Sequence, residues 1–160
     1  MDIRIGYGID VHILEEGKNL FIGGIKIESS KGAVGHSDAD VLLHAICDAL
    51  LGALSLRDIG FHFSDNDPKY KGIDSKILLK QVYNKINSRG YVIQNIDSTV
   101  VLEFPKLNPQ IPEMQNVISN ILGVNRDQIS IKATTHEKVD SFGRNEAIKA
   151  YAVCLLQKSN

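Results

Sequence analysis

Asp10 and His12 sit two residues apart in Gly8-Ile9-Asp10-Val11-His12, and His44 follows the polar cluster His36-Ser37-Asp38-Ala39-Asp40. Alternate residues of an extended strand point to one side, so this carboxylate and imidazole converge. A second imidazole carried in on a helix would complete three zinc ligands and leave one coordination position open. Structural zinc sites are closed by four protein ligands, whereas catalytic ones keep a place for water or substrate. The spacing therefore predicts a catalytic metal centre. Asp-x-His alone often does no more than end a strand; His44 on a polar helix face is what turns the pair into a ligand set.

Periodicity predicts the elements that carry these residues. Residues 3–12 mix β-branched side chains with glycine and read as a strand, and residues 20–27 read as a second strand bent at Gly23-Gly24. Residues 29–35 read as a loop. Ser37 is predicted to cap a helix running to about Leu54, with Asp40 three residues on in a variant of the capping box. Asp40, His44 and Asp48 fall four apart on one face of that helix, which places Asp48 to orient His44. Asp38 and Asp40 read as cap residues complementing the helix dipole.

Residues 57–71 follow neither period. A helix from the cap Asp74 to Ser88, a strand over 91–103, a helix opened by Pro112 and ended by Gly123, a strand over 128–135 and a last strand over 147–157 complete the order. With no repeat and no linker, this order predicts one domain over residues 1–160. Its class is α+β, a two-layer sandwich with a mixed β-sheet and helices on one face. In the last strand Ala150, Ala152 and Cys154 alternate with Tyr151, Val153 and Leu155, so both faces are apolar. Such a strand needs two covered faces. The helices are too few for both, and the pattern predicts subunit association.

A chain of 160 residues can bury one core. Its formal net charge of -1 gives no general attraction to nucleic acid or an anionic membrane, so any phosphate must be held by a local site. No apolar run approaches the roughly 20 residues that span a bilayer, and no signal-peptide pattern is present. The expected compartment is a bacterial cytoplasm; a plastid protein stripped of its transit peptide would look the same. Cys47 and Cys154 lack paired spacing and read as buried small hydrophobes of a reducing compartment.

Beyond the two N-terminal clusters, the chain carries Asp58-Ile59-Gly60, Phe63-Ser64-Asp65-Asn66-Asp67-Pro68, Pro105-Lys106 and Lys132-Ala133-Thr134-Thr135-His136-Glu137-Lys138. With all of these in order, it closely resembles the 2-C-methyl-D-erythritol 2,4-cyclodiphosphate synthases over essentially its whole length. The resemblance implies a homotrimer with active sites between subunits, acting in the non-mevalonate isoprenoid pathway. The implied substrate is 4-diphosphocytidyl-2-C-methyl-D-erythritol 2-phosphate, whose 2-phosphate attacks the β-phosphorus and expels CMP.

It further implies Zn2+ on Asp10, His12 and His44, and a second ion, Mg2+ or Mn2+, on Glu137. His36 and Ser37 are implied substrate contacts, and His36 and Glu137 the catalytic residues. Asp58, Ile59 and Gly60, with Phe63, Ser64, Asp65, Asn66 and Asp67, would grip the methylerythritol. Pro105, Lys106 and Leu107 with Ala133, Thr134 and Thr135 would form the adjacent subunit's cytidine-diphosphate pocket. Arg144 is implied near the trimer axis, with a phosphate role. One stretch departs from the common bacterial pattern: Asp140-Ser141-Phe142-Gly143-Arg144 displaces the family aromatic, so no aromatic contact carries over to position 141.

The implied chemistry suits these residue types. A phosphate monoester has a second pKa of about 6 and is already a nucleophile at neutral pH, so no activated Ser or Cys is required. Phosphoryl transfer then rests on positioning and charge neutralisation. The helix N-terminus at Ser37-Asp38 is predicted to offer backbone N–H groups to phosphate oxygens. Two other readings share parts of the pattern. A zinc-dependent phosphohydrolase would use Asp10, His12 and His44 without a cytidine pocket. A non-catalytic nucleotide-binding trimer would use the Thr-rich pocket without an open metal site. His62 and His136 read as surface histidines without a metal.

Overall fold

The computed structural model describes residues 2–64 and 66–159; Asp65, expected in the substrate loop, lies outside the described residues. In chain order the elements are β1 (Ile3–Glu16), β2 (Leu20–Ile22), β3 (Ile25–Ile27), β4 (Lys31–Val34), α1 (Val41–Ala53), α2 (Ile59–His62), α3 (Ser75–Asn87), β5 (Tyr91–Val101), α4 (Ile111–Leu122), β6 (Ile129–Thr134), α5 (Asp140–Gly143) and β7 (Ala147–Lys158).

Five strands form one mixed sheet in the order β4-β1-β7-β5-β6. β5 and β6 run parallel, connected through α4, and the other pairs are antiparallel. β2 and β3 form a separate hairpin, so the expected single bent strand is two strands joined at Gly23-Gly24. Both glycines have positive φ, 64° and 81°, a conformation matched to two-residue hairpin turns. The segment expected as a loop holds β4, which pairs Lys31–Val34 with the end of β1.

The helical layer covers one face, and α1 is its centre. Eleven of the thirteen α1 residues are buried, because the sheet lies on one side and α3 and the β2–β3 hairpin on the other. Small residues permit this approach. A Cβ on Gly8 would lie 2.0 Å from the Ala45 carbonyl oxygen, and one on Gly6 1.8 Å from that of Ala49. Ala150, Ala152 and Cys154 of β7 are buried on the same side, as are Cys47 on α1 and the packed side chains of α3 and α4. Among the described residues α1, α3 and α4 all lie on that side, and on the opposite face Ile5, Tyr7 and Ile13 are 71%, 59% and 65% exposed.

The start of α1 differs from the expected cap. Asp40, not Ser37, caps the helix and accepts the Leu43 N–H at 3.0 Å. Ala39 adopts a left-handed φ of 56°, which interrupts the right-handed run that a cap at Ser37 would need. Asp40 is fully buried and also accepts the N–H groups of Gly23 and Gly24 at 2.9 and 2.7 Å, so it pins the hairpin turn to the helix.

Candidate active site

Asp10 and His12 lie near the end of the sheet-forming part of β1, opposite Ala150 and Ile148, with both side chains on the helix-covered face. His44 reaches them from the first turn of α1. Asp10 Oδ2 lies 2.8 Å from His12 Nε2 and 2.8 Å from His44 Nδ1, and the two imidazole nitrogens are 3.3 Å apart. Ligand atoms of a tetrahedral zinc with bonds of 2.0–2.1 Å are spaced roughly 3.3 Å. The two nitrogens already have that spacing, and the carboxylate oxygen needs to withdraw only about half an ångström. The donor set, two imidazoles and a carboxylate, suits zinc. His12 is oriented by its other nitrogen, Nδ1, which donates to the Val34 carbonyl at 3.0 Å, the usual outer contact of a ligating histidine.

The electrostatics agree with this assignment. Burial pushes the Asp10 carboxyl up, but hydrogen bonds from His12 and His44 outweigh it and hold the group at about 2. Burial pushes His44 down, and its hydrogen bond to Asp10 with the nearby charges of Asp10, Asp40 and Asp38 brings it above its ordinary value. An anionic carboxylate between two imidazoles is a preformed cation site.

These three residues line a cavity of about 250 Å³ together with His36, Ser37, Ile59, Gly60, Phe63, Tyr70, Ile73 and Leu78. His36 Nε2 is buried there and has no hydrogen-bond partner among the described residues. Asp58 caps α2 by accepting the Phe61 N–H, which fixes Ile59 and Gly60 at the cavity wall. Asp67 caps the next turn through Lys69. Ser64, Asn66 and Asp67 belong to this segment without lining the cavity.

A second cavity, about 330 Å³, is lined by Leu102, Pro105, Lys106, Leu107, Asn108, Ala133, Thr134, Thr135 and Glu137. It lies at the same end of the sheet, beside the ends of β5 and β6. The two cavities share no lining residue. Three strand spacings separate β1 from β6, roughly 14 Å. Glu137 is exposed, has a φ of 50° and accepts the Thr135 hydroxyl at 3.1 Å. Arg144 lines neither cavity and is held by Glu146 at 3.0 and 3.1 Å. His62 meets the Leu56 carbonyl and His136 meets Asp140, away from the ligand set.

One expectation fails here: among the described residues Asp48 makes no hydrogen bond to His44, and its carboxylate accepts the Ile59 N–H instead. Of the backbone N–H groups at Ser37-Asp38 expected to meet phosphate, that of Asp38 is spent on the Ile73 carbonyl, whereas that of Ser37 makes no hydrogen bond among the described residues. The outer nitrogen of His44 is reached by Ser75, at the start of α3, at 2.9 Å and by Ser37 at 3.1 Å. The sequence marked the neighbouring Asp74 as a cap, but nothing in its spacing connects Ser75 to a histidine 31 residues earlier.

A model of the YgbB family matches residues 3–157. The chain belongs to the YgbB family. Among YgbB relatives, the 2-C-methyl-D-erythritol 2,4-cyclodiphosphate synthase of Porphyromonas gingivalis is 60% identical over 153 residues, 96% of this chain and 94% of that protein. The fold matches the bifunctional IspDF from Campylobacter jejuni with a TM-score of 0.95 and 38% identity, covering 99% of this chain and 43% of that one. It also matches IspF of Plasmodium falciparum, solved as a CDP complex, with a TM-score of 0.87, 37% identity and coverage of 99% and 97%.

Proposed function

We propose that this YgbB family member converts 4-diphosphocytidyl-2-C-methyl-D-erythritol 2-phosphate to 2-C-methyl-D-erythritol 2,4-cyclodiphosphate with release of CMP. The observation that carries the reading is the convergence of Asp10, His12 and His44 on one point of a cavity, with their outer contacts already made. Asp10, His12 and His44 would hold zinc and Glu137 magnesium or manganese, and these ions would supply Lewis-acid neutralisation of the diphosphate.

The chain's own groups do the positioning. His36 offers its unpartnered Nε2 to the substrate, and the Ser37 hydroxyl lies beside it at the cavity wall. Asp58, Ile59, Gly60 and Phe63 grip the methylerythritol, with Ser64, Asn66 and Asp67 in the same segment. In the second cavity, Ala133, Thr134, Thr135, Pro105 and Leu107 receive the cytidine, and Lys106 faces the phosphates. The 2-phosphate oxygen forms its bond to the β-phosphorus as the bond to the CMP oxygen breaks, and CMP leaves with that electron pair. The nucleophile is already a dianion, so no side chain need remove a proton.

The active assembly is a homotrimer of single-domain chains. Each cavity is at or below the small end of the roughly 300–1,000 Å³ typical of whole ligand sites, and no residue joins them. A metal cavity from one subunit and a nucleotide cavity from its neighbour make one complete site. Ile5, Tyr7, Ile9, Val11 and Ile13 form an exposed apolar strip that a lone chain would leave in water. Arg144, paired with Glu146, is assigned to the axis. Among the described residues no helix is long and apolar enough to cross a membrane, in keeping with a bacterial cytoplasmic enzyme.

Incubation with the diphosphocytidyl substrate tests the reading. Equal amounts of CMP and cyclic diphosphate are expected. Linear hydrolysis products alone would identify a phosphohydrolase, and nucleotide binding without turnover a non-catalytic trimer.

A further inference from the structure

His44 presents its two ring nitrogens to different surroundings. Nδ1 faces Asp10 Oδ2 at 2.8 Å and His12 Nε2 at 3.3 Å, which makes it the nitrogen of the ligand set. Nε2 points the other way and lies 2.9 Å from the hydroxyl of Ser75, the first residue of α3 and fully buried. A serine hydroxyl has one proton and two lone pairs. The same Ser75 oxygen is in hydrogen-bond contact with Asp38 Oδ1, and a carboxylate only accepts. The Ser75 proton is therefore committed to Asp38, and a lone pair is left facing His44. Nε2 must then carry its own proton and donate it, so the proton that metal displaces is the one Nδ1 shares with Asp10, and the lone pair it frees points at the ligand set.

Asp38 is itself held in place. Its Oδ2 accepts the Ser75 N–H at 2.9 Å, its Oδ1 accepts the Asp40 N–H at 3.2 Å, and its own N–H donates to the Ile73 carbonyl at 3.1 Å. Ser37 Oγ also approaches Nε2, at 3.1 Å, but it is nearer solvent and takes up the Ala39 N–H. Ser75 is the closer partner and, among the described residues, the only one whose proton has a fixed destination.

We propose that Ser75 and Asp38 are positioning residues: the chain Asp38–Ser75–His44 fixes the ring orientation and tautomer that make Nδ1 of His44 a metal ligand. The role rests on the metal reading above and extends it to two residues outside the ligand set. It parallels His12, where a backbone carbonyl takes the outer N–H, but uses side chains that bridge α1 and α3. Outer partners of metal-bound histidines typically contribute about 10–100-fold in metal affinity.

Asp38→Asn is the sharper variant, because it is nearly isosteric. Both native oxygens accept a backbone N–H, Oδ2 that of Ser75 and Oδ1 that of Asp40, so in either orientation the amide NH₂ faces a donor. The anionic acceptor that fixes the Ser75 proton is lost in the variant.

The test is zinc affinity measured by competition with a chromophoric chelator, on the full chain and on Ser75→Ala and Asp38→Asn. Circular dichroism of the metal-free proteins controls for folding. Each variant is expected to bind zinc about 10–100-fold more weakly. Histidine ¹H–¹⁵N spectra of the zinc-loaded wild type are expected to show His44 protonated at Nε2, with a slowly exchanging proton. Unchanged zinc affinity in folded variants would overturn the proposal while leaving the metal reading intact. A His44 protonated at Nδ1 would overturn it even if both variants failed to fold. A wild-type chain that binds no zinc would remove the metal reading and this role together.

Discussion

Asp48 accepts the backbone N–H of Ile59 at 2.8 Å, and among the described residues it makes no hydrogen bond to His44 four residues earlier. The carboxylate on the third turn of α1 thus holds the wall of the metal cavity, Ile59 and Gly60, rather than a metal ligand. Asp48→Ala is therefore expected to raise KM for the diphosphocytidyl substrate by about tenfold, the scale of one hydrogen bond to a charged group. Zinc affinity should stay within error of wild type. A loss of zinc equal to that of the His44 variant would show that Asp48 acts on the metal instead.

Removal of the proposed ligand His44 as His44→Ala should abolish tight zinc binding and lower CMP release by at least about 10³-fold, the equivalent of several kcal/mol of lost charge stabilisation. Metal analysis of the purified variant and a CMP assay measure both. Turnover that survives without zinc would contradict the proposed chemistry.

The exposed face of β1 should be an interface. Ile5→Glu with Tyr7→Glu places two charges on the strip where the native residues are 71% and 59% exposed. Sedimentation is expected to shift from three chains to one, and activity should fall with it because the proposed site needs two subunits. A wild-type chain that sediments as an active monomer would exclude the shared site.

In the presence of a chelator, stability should fall towards both acid and alkali. Asp10 binds its proton less tightly folded than unfolded, at about 2 against 3.8, so its contribution is present above 3.8 and lost as pH falls towards 2. His44 holds its proton more tightly when folded, so its contribution is complete below 6.5 and lost as pH rises through the raised folded value. Melting temperatures across pH measure both limbs. Zinc should reverse the alkaline limb, since metal competes with the Nδ1 proton and binds better as pH rises.

Gly8→Ala should destabilise the chain by about 1–3 kcal/mol or more, because its Cβ would lie 2.0 Å from the Ala45 carbonyl oxygen and α1 must move away from β1. Chemical denaturation measures the loss. His44 rides on the same helix, so zinc affinity should fall as well.

Much of the site was legible in the sequence because it is local. Asp10 and His12 share a face through the two-residue repeat of a strand. The order of motifs carried Ile59 and Phe63 of one cavity and Pro105 and Thr134 of the other, but not Tyr70, Ile73 and Leu78 or Leu102 and Asn108, which also line them. The small residues Ala150, Ala152 and Cys154, alternating with Tyr151 and Val153, pointed to two covered faces, and the structure gives one of them to α1. What stayed hidden depends on backbone conformation or on contacts between distant segments. Four residues at Lys31–Val34 are too short to show a period and became a strand only by pairing with β1. Ser37 has the composition of a cap, but the left-handed φ of Ala39 moves the helix start to Asp40.

By itself, then, the sequence determined the mixed order of helices and strands, the pairing of a carboxylate with an imidazole, and the metal chemistry those types allow. Tertiary structure decided which nitrogen of each histidine faces the metal point and which groups hold the other. It gave Asp48 to Ile59 and His44 to Ser75. A hydrogen bond between residues 31 positions apart has no periodic signature; it exists only because α1 and α3 pack side by side.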